Sequence, residues 1–197
     1  MNKYNPQKHH RRSIRLQGYD YSQEALYFIT ICCQDRTHLF GEIVDGKMIL
    51  NSYGEIAQKE WLNTSKIRDN VVLHEFVVMP NHFHSIIEIT FQKGNNEIGK
   101  FQSPSHTIGA IIRGFKIATI KKIKDYILGK EKSKGELQFA PTAPTAPTEK
   151  IKELDFKIWQ RNYYEHIIRN EEAYARISDY IRDNPKCWNE DKFYGMK

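Results

Sequence analysis

Two stretches rich in β-branched and aromatic residues stand on either side of one tight turn near the middle of the chain. Asn70 to Val78 and His82 to Thr90 each have the composition of a strand, and Met79-Pro80-Asn81 between them has residues typical of a turn. Strands joined by so short a turn pair antiparallel. The sequence therefore predicts a central antiparallel hairpin, around which the other elements must be arranged.

The remaining segments complete an alternation of strands and helices. In chain order they are a strand over Ala25 to Cys33, a peripheral hairpin over Gly41 to Leu50, a helix over Ser52 to Ser65, a basic amphipathic helix over Thr107 to Leu128, a strand over Phe156 to Ile168, and a last helix capped by Asn170 and stopped by Pro185. This order predicts an α+β fold with a ferredoxin-like antiparallel sheet, helices on one face, an extra hairpin and a C-terminal helix. An unrelated α+β domain with the same number of elements is the alternative.

The composition is that of a single globular domain with two appendages. The 197 residues are 40% hydrophobic and 27% charged, and the formal charge of +6 favours a polyanionic partner. Residues 1–15 are basic without an acidic residue and predict an N-terminal arm. Residues from about 129 to 155 include the Ala-Pro-Thr repeats of Ala140 to Thr148, which predict a flexible, extended surface insertion.

The sequence also disfavours a membrane protein or a secreted protein. The longest apolar run, Ala25 to Cys33, is much shorter than the roughly 20 residues that cross a bilayer. No apolar stretch follows the basic N-terminus, so it lacks the pattern of a secretory signal. The 3 cysteines form neither an even framework nor a Cys-x-x-Cys pair. We therefore expect a cytoplasmic protein with reduced cysteines and no membrane partner.

The central hairpin carries a His-x-His pair. Because side chains alternate along a strand, His82 and His84 project from one face while Phe83 packs on the other. Two neutral imidazoles fixed side by side are suited to hold one divalent metal ion. The alternative is two polar residues on a half-exposed strand.

Tyr180 and Asn184 lie four residues apart on the predicted last helix, and therefore on one face of it. A tyrosine hydroxyl can act as a nucleophile, and an amide oxygen can ligate a hard cation. Taken alone, Tyr180 equally fits an amphipathic core position and Asn184 a helix C-cap.

Several motifs together resemble one protein family. Met79 to His84, Trp159 to Asn170 and Asp179 to Pro185 are similar to the REP-associated tyrosine transposases, a branch of the single-tyrosine HUH transposases. Arg15 to Tyr21 and Phe28 to Cys32 resemble the same family, so the resemblance covers most of the chain outside about 129–155.

The resemblance implies an HUH nuclease fold, with His82 and His84 as metal ligands and Tyr180 as the nucleophile. Asn184 stands where related transposases carry a glutamine ligand, and it ligates either directly or through water. The implied reaction cleaves single-stranded or hairpin DNA through a 5′-phosphotyrosine, leaves a free 3′-hydroxyl and transfers the strand to a second end. The implied cofactor is Mg²⁺ or Mn²⁺. Oligomeric state is open between a monomer and a homodimer.

Basic side chains in the N-terminal arm and in the basic helix predicted over Thr107 to Leu128 are candidate contacts to the DNA backbone. They are Arg11, Arg12, Arg15, Arg113, Lys116 and Lys121. Tyr163 and Tyr164 alternate in a strand, so at most one of them faces DNA. For the helix, an ordinary solvated lysine face is the alternative. For the whole protein, the alternatives are a non-catalytic nucleic-acid-binding module and a metal-dependent hydrolase in which Tyr180 is structural.

Overall fold

The computed structural model describes residues 19–91, 106–134, 146–191 and 193–194. Its elements are β1 (Ala25–Cys32), β2 (Gly41–Val44), β3 (Lys47–Leu50), α1 (Ser52–Ile67), β4 (Val71–Val78), β5 (His82–Ile89), α2 (Ile108–Lys134), α3 (Ala146–Glu153), β6 (Tyr164–Ile168) and α4 (Glu171–Asp183). Short 3-10 turns occupy Gln34–Arg36 and Trp188–Glu190. The predicted N-terminal arm lies outside the described residues.

The main sheet has the strand order β4-β5-β1-β6, and each neighbouring pair is antiparallel. With the β2-β3 hairpin and the short α3 set aside, the chain runs strand, helix, strand, strand, helix, strand up to β6, and the first strand lies between the third and the last. This is the ferredoxin-like arrangement, so the predicted fold class is confirmed.

The core lies between the sheet and the layer formed by α1 and α2. Phe83 of β5 is fully buried there, with ring centroids 4.9 Å from Trp61 of α1 and 5.4 Å from Phe115 of α2. Contacts between such rings add to the free energy of apolar burial. The period of two in β5 therefore places Phe83 in the core and its two histidine neighbours on the opposite face, as predicted.

The opposite face of the sheet is covered in part by α4. Ile181 of this helix packs against Ile86 of β5 and Ile168 of β6, and all three are nearly or fully buried. Asn170 caps the helix, since its side chain accepts a hydrogen bond of 2.8 Å from the backbone N–H of Ala173. The predicted cap of the last helix is thus confirmed, and α4 is held over the histidine face.

The peripheral hairpin forms at the predicted turn. Asp45 and Gly46 have φ values of 50° and 71°, the left-handed pair required by a tight turn between antiparallel strands.

The prediction of a flexible, extended insertion over 129–155 is wrong at both of its described ends. The α2 helix continues through Lys134 instead of ending at Leu128, and α3 begins at Ala146 within the last Ala-Pro-Thr repeat. Pro147 is tolerated because a proline in the first helical turn has no intrahelical hydrogen bond to lose. Ile151 of α3 is fully buried in the main core, and this contact stabilises the helix.

The last strand is shorter than predicted. It begins at Tyr164 rather than Phe156, because Asp155 and Phe156 have positive φ values of 49° and 56° that interrupt an extended backbone. Trp159 still forms an isolated bridge with Cys33. In the part of the chain that the structure describes, no helix combines the length and the apolar character needed to span a membrane.

Candidate active site and metal centre

His82 and His84 lie side by side on the face of the sheet away from α1 and α2. Their ring centroids are 4.5 Å apart, and both residues are buried. Rings of Trp188 and Phe193, from the segment after α4, pack on His82 at centroid distances of 5.9 and 4.5 Å. The pair is therefore held in a fixed geometry, and His84 lines a cleft.

Hydrogen bonds orient each imidazole. The side-chain amide of Asn81 donates to the Phe193 carbonyl at 3.0 Å, so its oxygen faces the Nδ1 of His82 at 2.9 Å and accepts a hydrogen bond from the Nδ1–H. The lone pair of His82 is thereby on Nε2. On His84, Thr30 Oγ1 lies 2.8 Å from Nδ1, which leaves Nε2 directed at the cleft. Ligand histidines in metal sites are commonly oriented in this way through their second nitrogen.

Tyr180 meets this pair from α4. Its hydroxyl lies 3.2 Å from the Nε2 of His84, and the side chain is 40% exposed, so one side of the phenol is open to solvent. Partial burial, followed by the negative charge of Asp191, raises the pKa of Tyr180 to about 12. The C-terminal phenol therefore lies beside the central histidines within one chain.

A hydrogen-bond network fixes α4 to the edge of the sheet. Glu75 of β4 accepts hydrogen bonds from the hydroxyls of Tyr174 at 3.1 Å and Ser178 at 3.2 Å. The Tyr174 hydroxyl also lies 3.1 Å from Nδ1 of His74. Burial raises the pKa of Glu75, but the backbone and hydroxyl hydrogen bonds outweigh it and hold that pKa below its usual value. The network sets where Tyr180 stands along the sheet.

Asp191 is a third candidate ligand that the sequence interpretation missed. The ligand atoms of His82, His84 and Asp191 all lie within 4.8 Å of one another. The carboxylate is positioned from both sides, since it accepts hydrogen bonds from the Phe193 N–H at 2.7 Å and from the Asn184 amide at 3.0 Å. The available signal was a carboxylate seven residues after Asn184 in the same C-terminal region.

Asn184, the predicted third ligand, lies in the same cleft as the C-cap residue of α4. It is 2% exposed, and its Oδ1 is buried without a hydrogen-bond partner among the described residues. A buried amide oxygen without a donor is costly, and a cation would satisfy it. Its amide nitrogen holds Asp191, so Asn184 also orients the carboxylate.

The donor set fits a divalent cation. Two imidazoles and one carboxylate within 4.8 Å of one another suit a first-row divalent metal, and the unsatisfied Asn184 oxygen lines the same cleft. The surrounding cleft has a volume of about 480 Å³ and is also lined by Asp183 and Glu190. Asp183 is paired with Lys186 at 2.8 Å, and the remaining negative charge of the cleft favours a cation.

The structure does not bring the predicted DNA-binding residues to this cleft. Arg113 and Lys121 are exposed on α2, and the sheet lies between that helix and the histidines. Arg11, Arg12 and Arg15 lie outside the described residues.

Lys116 is partly buried instead of fully solvated. Its ammonium donates to the backbone carbonyls of Gln160 at 2.8 Å and Asn162 at 3.1 Å, and burial lowers its pKa to about 8. It thereby supports the segment that precedes β6. Tyr163 packs against the same ammonium at 5.6 Å, while Tyr164 is 48% exposed, in agreement with the predicted alternation.

Comparisons with known proteins give a full-length relative and a shared fold. A Haemophilus influenzae protein described as uncharacterized is 41% identical over an alignment of 201 positions that covers 98% of this chain and 97% of that protein. A REP-associated tyrosine transposase, solved bound to a REP hairpin, has a TM-score of 0.51 and 18% identity, over 91% of this chain and 77% of that one. A putative transposase from Deinococcus radiodurans has a TM-score of 0.45 and 14% identity, over 87% of this chain and 97% of that one. No family model matches the chain.

Proposed function

We propose that this chain, which belongs to the same family as the Haemophilus influenzae protein and has the fold of a REP-associated tyrosine transposase, cleaves and rejoins single-stranded DNA. The reaction is a transposase-type strand transfer through a covalent link between DNA and Tyr180. The substrate is single-stranded DNA beside a hairpin; the solved transposase of the same fold is bound to a REP hairpin.

One observation carries the proposal. The hydroxyl of Tyr180, on the last helix, lies 3.2 Å from the Nε2 of His84, on the central hairpin. Sequence neighbourhood does not explain this contact, because the two residues are far apart in the chain. A phenol at the open edge of a metal-suited histidine pair is the arrangement needed for nucleophilic attack on a phosphodiester.

The chemical step exchanges one phosphodiester for another. The Tyr180 oxygen forms a bond to phosphorus, the bond from phosphorus to the 3′ oxygen breaks, and a 5′-phosphotyrosine results. The phenolic proton is lost to water and the departing 3′ oxygen takes one up, so no oxidant or nucleotide cofactor is consumed. A second 3′-hydroxyl reverses the step on another end, which gives strand transfer.

His82, His84 and Asp191 would hold the divalent ion, with Asn184 as a fourth ligand directly or through water. When bound, Mg²⁺ or Mn²⁺ would neutralise charge on the non-bridging phosphate oxygens. The other residues of the site hold the metal ligands and the nucleophile in place. Asn81 and Thr30 fix the imidazoles, and the Asn170 cap and Glu75 fix the helix that carries Tyr180.

The test is incubation of the protein with a labelled hairpin oligonucleotide that carries single-stranded flanks, with Mn²⁺ or Mg²⁺, followed by denaturing electrophoresis. We expect a protein–DNA band and a released fragment with a free 3′-hydroxyl. Both are expected to disappear in Tyr180→Phe, which keeps the ring and removes the nucleophile. Tyr194→Phe, a change at another exposed tyrosine near the C-terminus, is the matched control and should keep the band.

The other outcomes separate the alternatives. Metal-dependent cleavage that survives Tyr180→Phe would identify a hydrolase that uses water. DNA binding with neither adduct nor cleavage would identify a non-catalytic binding protein. Either result contradicts the proposed function. His82→Ala and His84→Ala are expected to abolish cleavage while leaving the circular dichroism spectrum of the folded protein unchanged.

A further inference from the structure

A second cleft adjoins the one that contains Tyr180. Its volume is about 440 Å³, which is within the range of about 300–1,000 Å³ for pockets that hold a small ligand. Thr30 and Tyr164 line both clefts, so the two are contiguous. The other residues that line it are Cys32, Arg36, Gln160, Asn162, Tyr163 and Phe193. The sequence interpretation considered Tyr163 and Tyr164 as aromatic contacts to DNA but gave no role to Arg36.

Arg36 supplies the charge of the second cleft. Its Cζ lies 4.7 Å from the centroid of the Phe193 ring, so the guanidinium is stacked against an aromatic face. Its Nη1 is buried and has no hydrogen-bond partner within the described part of the chain. Arg36 as a whole is partly exposed, but a buried donor nitrogen without an acceptor is unfavourable, and phosphate oxygens match the planar donors of a guanidinium.

The backbone that presents Arg36 is strained. Asp35 and Arg36 have φ values of 51° and 53°, two consecutive residues other than glycine in the left-handed region. Side chains make this region unfavourable, and such residues often occur where a functional group must be held in one direction. The turn is fixed by hydrogen bonds from the Arg36 and Thr37 N–H groups to the carbonyls of Cys33 and Gln34, both at 3.1 Å.

The two clefts have opposite electrostatic character. Among the described residues, the cleft of Tyr180 is lined by Asp183, Glu190 and Asp191 and by no lysine or arginine. In the same part of the chain, the second cleft is lined by Arg36 and by no carboxylate. The first is suited to a metal ion and the second directly to an anion.

Tyr164 stands at the boundary between the clefts. It is 48% exposed, and its ring makes an edge contact with Phe28 at a centroid distance of 6.2 Å. Phe28 also contacts Tyr180, at 6.2 Å. Because Phe28 supports one edge of the exposed Tyr164 ring, an unpaired base can stack on the open face of that ring.

We propose that the second cleft binds the nucleotide next to the cleaved phosphate, with Arg36 on the phosphate of that nucleotide and Tyr164 stacked on its base. The site would hold single-stranded DNA in register while the adjoining phosphate lies beside Tyr180. This inference rests on the proposed function for the identity of the ligand as DNA, but it concerns binding and requires no cleavage.

The experiment measures binding in the Tyr180→Phe background, so that chemistry is absent. The probe is a fluorescein-labelled DNA hairpin with a single-stranded flank, titrated by anisotropy at several salt concentrations. Adding Arg36→Gln is expected to weaken binding about tenfold or more, and to reduce the slope of log affinity against log salt by about 0.7. Lys66→Gln, which removes one exposed charge from α1, should change neither by a comparable amount.

Two further variants keep the test decisive should Arg36→Gln unfold the protein. Arg36→Lys retains the charge but not the planar donors, so the salt slope should be preserved while affinity falls. Tyr164→Ala should weaken binding about fivefold or more, and Tyr164→Phe should restore it.

Unchanged affinity in Arg36→Lys and Tyr164→Ala, each with a normal melting curve, would overturn the inference. Failure of the proposed function has a different signature. In that case the protein with Tyr180 intact forms no adduct, while binding still depends on Arg36 and Tyr164.

Discussion

Replacing Asp191 with asparagine tests whether this carboxylate is a metal ligand. The change is nearly isosteric, and the Oδ1 position can still accept the hydrogen bond of 2.7 Å from the Phe193 N–H. It removes the negative charge beside His82 and His84, and it places an amide where the Asn184 nitrogen now donates at 3.0 Å. The principal expected effect is weaker binding of a divalent ion.

The magnitude can be worked out through linkage. An ion present at 100 times its Kd stabilises the folded protein by about 2.7 kcal/mol. Loss of a ligand should weaken binding at least about tenfold, since even residues that only support a ligand contribute that much. The same ion concentration is then about ten times the Kd of the variant, and its stabilisation falls to about 1.4 kcal/mol.

The assay is urea unfolding of each protein with and without Mn²⁺. Taking the difference within each protein removes any effect of the substitution on the metal-free fold. Glu190→Gln is the control, because this neighbouring carboxylate lines the cleft but is not part of the histidine cluster. Equal Mn²⁺-induced stabilisation in the wild type and in Asp191→Asn would refute the assignment of Asp191 as a ligand.

Three other substitutions test what positions the site. Glu75→Ala removes the acceptor of two α4 hydroxyls and should cost about 1–3 kcal/mol in urea unfolding at neutral pH. Because the pKa of Glu75 is below its usual value, this difference should shrink as the pH falls through that lowered value, and a pH-independent difference would contradict it. Lys116→Met leaves carbonyls of residues 160–162 unpaired and should cost about 1–3 kcal/mol, whereas unchanged urea stability would show that its ammonium is dispensable. Phe83→Ala should cost about 3–5 kcal/mol by the same measurement, and a loss below 1 kcal/mol would exclude Phe83 as a core residue.

The sheet and its histidine pair could be predicted because their signals are local. Alternation along β5 decides which face Phe83 and the histidines occupy, and the short turn before His82 decides how β4 and β5 pair. The capping residue Asn170 likewise marks the start of α4 by its own chemistry. The order of these local signals was enough to give the ferredoxin-like arrangement.

The features that were missed depend on contacts between distant segments. Asp191 lies in a polar stretch without periodicity, and it meets the histidines only because Trp188 and Phe193 pack on His82. The α3 helix forms because Ile151 packs in the main core. The Ala-Pro-Thr repeats that precede Ile151 give no sign of this contact.

The role of Lys116 was missed for a related reason. On a helix wheel it resembles its solvated neighbours, and only the fold shows that backbone carbonyls surround its ammonium.

The most direct measurement of the central claim is the site of covalent attachment between DNA and protein. The adduct formed with a hairpin oligonucleotide and Mn²⁺ would be digested with nuclease and protease, and the modified peptide sequenced by mass spectrometry. We expect a nucleotide joined through its 5′ phosphate to the oxygen of Tyr180. Attachment at another residue, or a cleaved oligonucleotide with no attached peptide, would contradict the account.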